Sequence, residues 1–210
     1  MACVSFFENQ EPTDVISNGN TLVWHYPKFL DSESSATLLS RLNTELHWEQ
    51  PDVTVFGKTS PLPREVAWIA DGKLSYGYSG IHSNPLPWPT FLQPLRRSVE
   101  EQSKTRFNSV LVNRYRDGRD TVGWHSDNEH ELGVEPTIAS VSLGATRKFR
   151  FRNIVTRETR DVLLEHGDLI IMSGRCQSEW EHQVPRQLRV KEQRINLTFR
   201  HINDQAIANT

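Results

Sequence analysis

The C-terminal half of the chain is a succession of short apolar or alternating runs separated by turn residues. From residue 107 onward these runs read SVLVNRY, TIASVSL, KFRFR, DVLLE, DLIIMSG and RINLTFR. Many short strands at this spacing are typical of a β-sandwich, a barrel or a jelly roll. The pattern therefore predicts an all-β core over residues 106–201, followed by a tail over residues 202–210.

The N-terminal half mixes extended and helical patterns. TLVWHYPKFL (21–30) predicts a strand and a turn, and Asp31 follows as the expected N-cap of a helix. Leucines recur at helical spacing after it, at Leu38, Leu39, Leu42 and Leu46. A second helix is predicted from Leu92, Leu95 and Val99, after a connector rich in proline. We therefore expect a flexible segment over residues 1–20 and an α/β lobe over residues 21–105, in a chain that is mainly β with α.

Composition narrows the class of protein. Of the 210 residues, 36% are hydrophobic and 24% are charged, as in globular chains with a core. The formal net charge of −2 means that any surface for nucleic acid would be a local basic patch. Two cysteines, Cys3 and Cys176, cannot form a disulfide framework. Without the pattern of a signal peptide or a bilayer-length apolar run, we expect an intracellular soluble protein, cytoplasmic or nuclear according to its source.

The stretch GWHSDNEHEL (123–132) contains the first candidate metal ligands. Side chains two apart on a strand share a face, so His125 and Asp127 can point at one spot. An H-x-D pair alone is more often part of a hydrogen-bonded polar loop. His182, in SEWEHQVP, supplies a third ligand, and two imidazoles with one carboxylate form the facial triad of non-haem Fe(II) oxygenases. His130 is expected to be exposed to solvent.

The last predicted strand, RINLTFR (194–200), separates polar from apolar side chains. Its polar face carries Arg194, Asn196, Thr198 and Arg200, and its apolar face carries Ile195, Leu197 and Phe199. We expect the apolar set to enter the core between the sheets and the polar set to line the mouth of the barrel. An inward arginine requires an anion, which a dicarboxylate ligand would supply through a bidentate contact.

The roles of the two arginines remain open at this level. Their backbones are roughly 20 Å apart on a strand, so they would serve opposite ends of an extended ligand, or one would support the metal's carboxylate. The alternative is an edge strand whose arginines face solvent. Asn113 and Tyr115, in NRY, share a strand face and would donate further hydrogen bonds.

Together these motifs resemble the AlkB family of Fe(II)- and 2-oxoglutarate-dependent dioxygenases. The resemblance rests on NRYRDG, WHSDNE, IASVSLGATRKFRFR, HQVP and RINLTFR in this order, and it extends over about residues 53–201. It implies a double-stranded β-helix (jelly roll) core with an N-terminal nucleotide-recognition lobe and lid. It implies that Fe(II) is held by His125, Asp127 and His182. It implies a 2-oxoglutarate site at Asn113, Tyr115, Arg194, Asn196 and Arg200, with Arg194 at the distal carboxylate.

The activity that the resemblance implies is oxidative demethylation of alkylated DNA bases, closest to the duplex-acting repair members. The expected substrates are 1-methyladenine and 3-methylcytosine, with etheno adducts as a further option. O₂ and 2-oxoglutarate are the co-substrates: 2-oxoglutarate is converted to succinate and carbon dioxide, the N-methyl carbon is then hydroxylated, and formaldehyde is released. The expected partner is therefore alkylated double- or single-stranded DNA, with RNA as an alternative, and the protein is expected to be a monomer.

Contacts with the damaged base are expected from three stretches, because a base must leave the duplex to reach a buried metal. Tyr76 and Tyr78 would stack on the base, and Glu129 would accept its amino group. VFGK would form a hairpin with an apolar wedge, a tight turn and a phosphate contact, provided by Val55, Phe56, Gly57 and Lys58. Arg64 completes the expected substrate-binding set. Ordinary strand packing is the alternative for the tyrosines, and a core position is the alternative for Phe56.

Two basic clusters are candidate phosphate contacts. Arg147, Lys148, Arg150 and Arg152 are expected to form a row on one strand face, and Arg186, Arg189 and Lys191 crowd the loop after His182. Other functions compatible with parts of the pattern are an RNA demethylase, a 2-oxoglutarate hydroxylase of a protein or small molecule, and a non-enzymatic β-barrel binding module. The last of these leaves the metal triad and the inward arginines without a purpose.

Overall fold

The computed structural model describes residues 11–55, 57–72, 74, 77–78, 81–82 and 85–203. Its helices are α1 (Ser32–Glu45), α2 (Gln93–Ser103) and α3 (Cys176–Glu179), and short 3₁₀ turns lie at Thr90–Leu92 and His130–Leu132. Its strands are β1 (Thr13–Asn18), β2 (Thr21–Tyr26), β3 (Asp52–Val55), β4 (Lys58–Pro61), β5 (Glu65–Ala70), β6 (Gly77–Tyr78), β7 (Ile81–His82), β8 (Ser109–Tyr115), β9 (Val122–His125), β10 (Ile138–Gly144), β11 (Arg147–Asn153), β12 (Thr159–Leu164), β13 (Leu169–Gly174), β14 (Trp180–Val184) and β15 (Arg194–Arg200).

Two antiparallel sheets form the frame of the molecule. The large sheet has the strand order β1-β2-β13-β10-β15-β8-β5, and the small sheet has the order β12-β11-β14-β9. An apolar layer joins them, with Ile170 and Met172 from the large sheet and Phe149 and Phe151 from the small sheet. This architecture confirms the prediction of a mainly β chain with a jelly-roll core.

Helices α1 and α2 cover the other face of the large sheet. Asp31 caps α1 as predicted, since its carboxylate accepts a hydrogen bond from the backbone N–H of Ser34 at 2.7 Å. Leu42 of α1 and Val99 of α2 are fully buried in the apolar cluster that these helices share with the large sheet. No helix in the described ranges is both long enough and apolar enough to cross a bilayer.

Strand β15 is buried on both faces, and this corrects one prediction. Ile195, Leu197 and Phe199 pack with the helices on the outer face of the large sheet, and not between the two sheets. The polar residues of β15 face the small sheet, where Asn196, Thr198 and Arg200 line a pocket together with residues such as Phe149 and His182. The apolar face points outward because helices, and not solvent, lie on that side of the sheet.

The N-terminal segments complete the large sheet. β1 pairs with β2, β2 pairs with β13, and β5 pairs with β8. The expectation of a flexible segment over residues 1–20 is therefore wrong for Thr13–Asn18. A polar strand is held at a sheet edge because its backbone groups bond to the neighbouring strand. The expected N-terminal lobe and the expected core thus contribute strands to one sheet.

Strands β3 and β4 form a separate two-stranded hairpin. Val55 pairs with Lys58 in its register, and Gly57 has a positive φ of 75° at the turn. Glycine adopts this conformation without the steric cost that a Cβ brings. The tight turn predicted at Gly57 is therefore confirmed.

Candidate metal and co-substrate site

Three predicted metal ligands meet between the sheets. His125 is the last residue of β9 and pairs across the small sheet with His182 of β14. Their rings lie 4.3 Å apart between centroids. Asp127 was expected on the same strand as His125, but it lies two residues beyond the end of β9. It still reaches the same place, with its Oδ2 3.7 Å from Nε2 of His182.

The hydrogen bonds around these side chains leave the correct atoms available. Nδ1 of His125 lies 2.8 Å from the carbonyl oxygen of Gly123, which can only accept, so Nδ1 carries the proton and Nε2 keeps its lone pair. Oδ1 of Asp127 accepts from Arg200 at 2.6 Å. Oδ2 therefore remains as the oxygen that faces His182.

A buried glutamine fixes the backbone of the carboxylate. Oε1 of Gln177, on α3, accepts the N–H of Asp127 at 2.9 Å. α3 leads directly into β14, so it connects the loop that carries Asp127 to the strand that carries His182. Among the described residues, no three His, Cys, Asp or Glu side chains are grouped closely enough to hold a metal ion as they stand. The fit to a metal therefore rests on donor types, two neutral imidazoles and one carboxylate oxygen; Asp127 and His182 are buried, and His125 is half-buried.

The electrostatics of the three side chains favour this set of protonation states. Burial would raise the pKa of Asp127, but Arg200 and the two imidazoles outweigh it and bring the pKa to about 2. Burial, assisted by the neighbouring His125, lowers the pKa of His182 to about 3. Burial also lowers the pKa of His125, against the opposing charge of Asp127. At neutral pH the triad is one carboxylate and two neutral imidazoles, the form that binds a metal.

The other end of β15 presents an incompletely satisfied guanidinium. Arg194 is 1% exposed, and its Nη2 donates to Oγ of Ser142 at 2.8 Å. Its Nε and Nη1 are buried and have no hydrogen-bond partner among the described residues. Buried donors are normally paired, so two open donors on one guanidinium indicate a place for an oxyanion. The ring of Tyr115 lies beside it, 5.3 Å from Cζ to the ring centroid.

The remaining co-substrate candidates lie along the same pocket. Nδ2 of Asn196 donates to Ser140 and to the carbonyl oxygen of Val141, and its Oδ1 accepts from Thr198. Oδ1 of Asn113 accepts from Nε of Arg64 at 2.7 Å. Arg64, predicted as a substrate contact, is thus a buried part of the pocket wall. Sequence reasoning missed Ser140 and Ser142, although their alternation in TIASVSL marks one face of β10; Gln177 carried no comparable signal.

The structure describes only some of the residues that are predicted to contact the base. Glu129 is half-buried and immediately precedes the 3₁₀ turn that starts at His130, and His130 is exposed as predicted. Val55 and Lys58 flank the hairpin turn, and Tyr78 lies in β6. Phe56 and Tyr76 lie outside the described residues. The stacking and wedge assignments stay predictions.

The predicted basic row on β11 needs correction. Arg147 is buried on the inner face with Phe149 and Phe151, because strand residues two apart share a face. Lys148 and Arg150 both bind Asp161 of β12. Arg152 binds Glu181 of β14 and lies over the ring of Trp124, 4.0 Å from Cζ to its centroid. The outer face of the small sheet is therefore largely neutralised, while Arg186, Arg189 and Lys191 are exposed in the β14–β15 loop.

Comparisons with known proteins place the chain in a family. A family model described as the 2OG-Fe(II) oxygenase superfamily matches residues 22–200. The chain is 40% identical over 194 residues to alpha-ketoglutarate-dependent dioxygenase alkB homolog 3 of Rattus norvegicus, a match that covers 88% of this chain and 65% of the rat protein. The Homo sapiens homolog 3 is 39% identical over 194 residues, with coverage of 88% and 67%.

One further relative and one solved structure extend the comparison. The DNA oxidative demethylase ALKBH2 of Mus musculus is 42% identical over 158 residues, which cover 71% of this chain and 66% of that protein. The chain thus spans about two thirds of the length of these curated relatives. Among solved structures, OsALKBH1 matches 90% of this chain and 100% of its own, with a TM-score of 0.66 and 16% identity, which is a likeness of fold.

Proposed function

Because this chain belongs to the AlkB family of the 2OG-Fe(II) oxygenase superfamily, we propose that it oxidatively demethylates alkylated bases in DNA. Fe(II), 2-oxoglutarate and O₂ are the metal and co-substrates of this superfamily. When bound, they supply the oxidation of an N-methyl carbon, after which formaldehyde leaves and the base is restored. The expected substrates are 1-methyladenine and 3-methylcytosine.

One observation carries this proposal: the pocket that contains His125, Asp127 and His182 is also lined by Tyr115, whose ring lies beside the incompletely satisfied guanidinium of Arg194. His125, Asp127 and His182 would hold Fe(II) at one end of the polar face of β15. At the other end, Arg194 would bind the distal carboxylate of 2-oxoglutarate through its open donors, Nε and Nη1. Asn113, Tyr115 and Asn196 would line the path between them. A 2-oxo dicarboxylate fits such a site because one carboxylate would bind the guanidinium at one end and its 2-oxo acid group would bind the metal at the other.

The chain also has residues placed for nucleic-acid contact. Glu129 follows Asp127 by two residues, so it would accept the exocyclic amino group of a base held near the metal, which suits adenine and cytosine derivatives. The β3–β4 hairpin would insert at the base stack with Phe56 next to its Gly57 turn, and Lys58 would contact phosphate. The exposed basic residues after β14 would add a salt-dependent contact with the backbone.

The test is release of formaldehyde and succinate from oligonucleotides that carry 1-methyladenine or 3-methylcytosine. Single-stranded DNA, duplex DNA and RNA of the same sequence are compared with and without iron. His182→Ala should abolish turnover, and Arg194→Gln should raise the concentration of 2-oxoglutarate required. Absence of turnover on every methylated nucleic acid, from protein that consumes 2-oxoglutarate, would contradict the proposal, and turnover on RNA alone would favour an RNA demethylase.

The hairpin assignment has its own comparison. Phe56→Ala should reduce turnover on duplex DNA more than on single strands, because only a duplex leaves a gap that the wedge must fill. Thr54→Ala, a surface change in the same hairpin, serves as the control. Equal losses on both substrates would count against a wedge.

A further inference from the structure

Arg147 is a buried arginine that the proposed reaction does not use. It is the first residue of β11 and only 1% exposed. Its Nη1 donates to the carbonyl oxygen of Asp117 at 3.0 Å, and its Nη2 donates to those of Asp120 and Pro185, both at 2.9 Å. Its Nε donates to Oε1 of Gln187 at 3.2 Å. One guanidinium thus ties the β8–β9 loop to the β14–β15 loop.

The charge of Arg147 has no carboxylate partner among the described residues. All four of its hydrogen bonds go to neutral oxygens. The two nearby carboxylates are engaged elsewhere, since Asp117 binds Arg119 and Asp120 binds Arg116. Burial lowers the pKa of Arg147, and the charges of Asp120 and Asp117 offset this only in part, so the buried cation costs free energy that a further anion would reduce.

Arg147 and Arg194 lie beside the same aromatic ring. Cζ of Arg147 is 5.6 Å from the centroid of Tyr115, and Cζ of Arg194 is 5.3 Å from it. Burial lowers the pKa of Arg194 to about 10, Tyr115 opposes this shift, and the charge of Arg147 adds to it. The two cations therefore act on each other across a region from which water is largely excluded. An anion placed against Arg194 would relieve both.

We propose that Arg147 is the second cation of the distal-carboxylate pocket, a positioning residue that sets the preference for a dicarboxylate co-substrate. The inference rests on the proposed placement of 2-oxoglutarate at Arg194. Arg194 would make the direct contact, while Arg147 would supply attraction from behind Tyr115 and hold the two loops that close this end of the pocket. A 2-oxo acid without the distal carboxylate would gain nothing from either arginine.

Gln187 offers an isosteric test of this charge. Its Oε1 accepts from Nε of Arg147 and also from the backbone N–H of Lys148 at 2.8 Å. Gln187→Glu keeps both acceptor bonds and gives Arg147 a carboxylate partner. Gln183→Glu is the matched control, because it adds the same charge on β14, on the face that points away from the pocket.

The measurement is calorimetric binding of 2-oxoglutarate and of pyruvate to Mn(II)-loaded protein without nucleic acid. Pyruvate has the same 2-oxo acid end but no distal carboxylate. Gln187→Glu should weaken 2-oxoglutarate by about tenfold, as expected for one charge roughly 10 Å away at an effective dielectric constant of about 20, and leave pyruvate unchanged. Arg147→Gln should give the same selective loss, and Gln183→Glu should give none.

The outcomes separate this inference from the proposed function. Equal weakening of both ligands, or no weakening by Gln187→Glu, would overturn the role of Arg147. Arg194→Gln tests the pocket itself: if it leaves the preference for 2-oxoglutarate over pyruvate intact, the placement of the distal carboxylate is wrong. If Arg194→Gln removes that preference while Gln187→Glu does not, the proposed function stands and the second cation is rejected.

Discussion

Arg200→Met should leave the carboxylate of Asp127 without its cation. Nη2 of Arg200 lies 2.6 Å from Oδ1 of Asp127, and the two side chains are only 4% and 1% exposed. Removing one partner of a buried ion pair costs about 3–5 kcal/mol, because the other charge stays buried and unpaired. The neighbouring imidazoles replace the lost cation only weakly, since burial is the largest cause that lowers the pKa of His125 and of His182 and it persists in the variant. We therefore expect the metal-free protein to lose about 3–5 kcal/mol of unfolding free energy.

The exposed pair Arg41–Glu45 provides the control. Arg41 donates to both oxygens of Glu45 at 2.6 and 3.0 Å, and the shorter distance equals that of the buried pair. Both side chains are 44% exposed, however, so solvent screens the interaction. Arg41→Met should therefore leave the unfolding free energy almost unchanged. The contrast isolates burial, and not hydrogen-bond length, as the origin of the larger loss.

The assay is urea unfolding in the presence of a chelator, for a double-mutant cycle. The cycle compares Arg200→Met, Asp127→Asn and the double variant with the unmodified chain. Because the double variant has neither charge, its loss should be smaller than the sum of the single losses by about 2 kcal/mol or more. Additive losses would refute the argument that charge compensation, and not packing alone, fixes Asp127 in place.

Three further predictions concern the surroundings of the site. Gly118→Ala should lower the melting temperature by several degrees because its Cβ would lie 1.8 Å from the carbonyl oxygen of Gln187, whereas Gly123→Ala, with nothing within 4 Å, should not. Gln177→Met should weaken Mn(II) binding by about 10–100-fold, measured by titration, because the N–H of Asp127 loses its acceptor; Gln183→Met should have no effect. Arg150 and Lys148 hold the pKa of Asp161 at about 2. The ionised carboxylate of Asp161 therefore contributes its full stabilisation above the ordinary pKa of 3.8 and loses it as the pH falls toward 2. The difference in unfolding free energy between Asp161→Asn and the unmodified chain should accordingly narrow on acidification.

Residue types and their spacing predict which polar side chains come together in the fold. His125, Asp127 and His182 converge even though Asp127 lies beyond its predicted strand, because the loop after β9 turns it back toward β14. The polar and apolar sets of β15 were separated correctly by alternation. Which set faces which layer could not be deduced, since that depends on helices α1 and α2, which come from a distant part of the chain.

The inner position of Arg147 can be deduced from the sequence, whereas the contact made by Gln177 cannot. The alternation RKFRFR places Arg147 in phase with Phe149, so a strict two-residue period assigns it to the inner face and excludes it from the basic row. Gln177 is different, because its function depends on the backbone N–H of a residue 50 positions away. Local patterns contain no information about such a contact, and only the pairing of β14 with β9 brings the two together.

The two arginines of β15 do different things because their surroundings differ. Six residues along a strand separate their backbones by about 20 Å, with both side chains on one face. Arg200 is matched by Asp127, so its charge is already balanced and it orients the carboxylate that faces the metal site. Arg194 donates to the hydroxyl of Ser142, lies beside Tyr115 and has no carboxylate partner among the described residues, so we propose that its charge is left for a ligand. An extended dianion bound as proposed would therefore be oriented by its distal end, since of these two arginines only Arg194 has no carboxylate partner among the described residues.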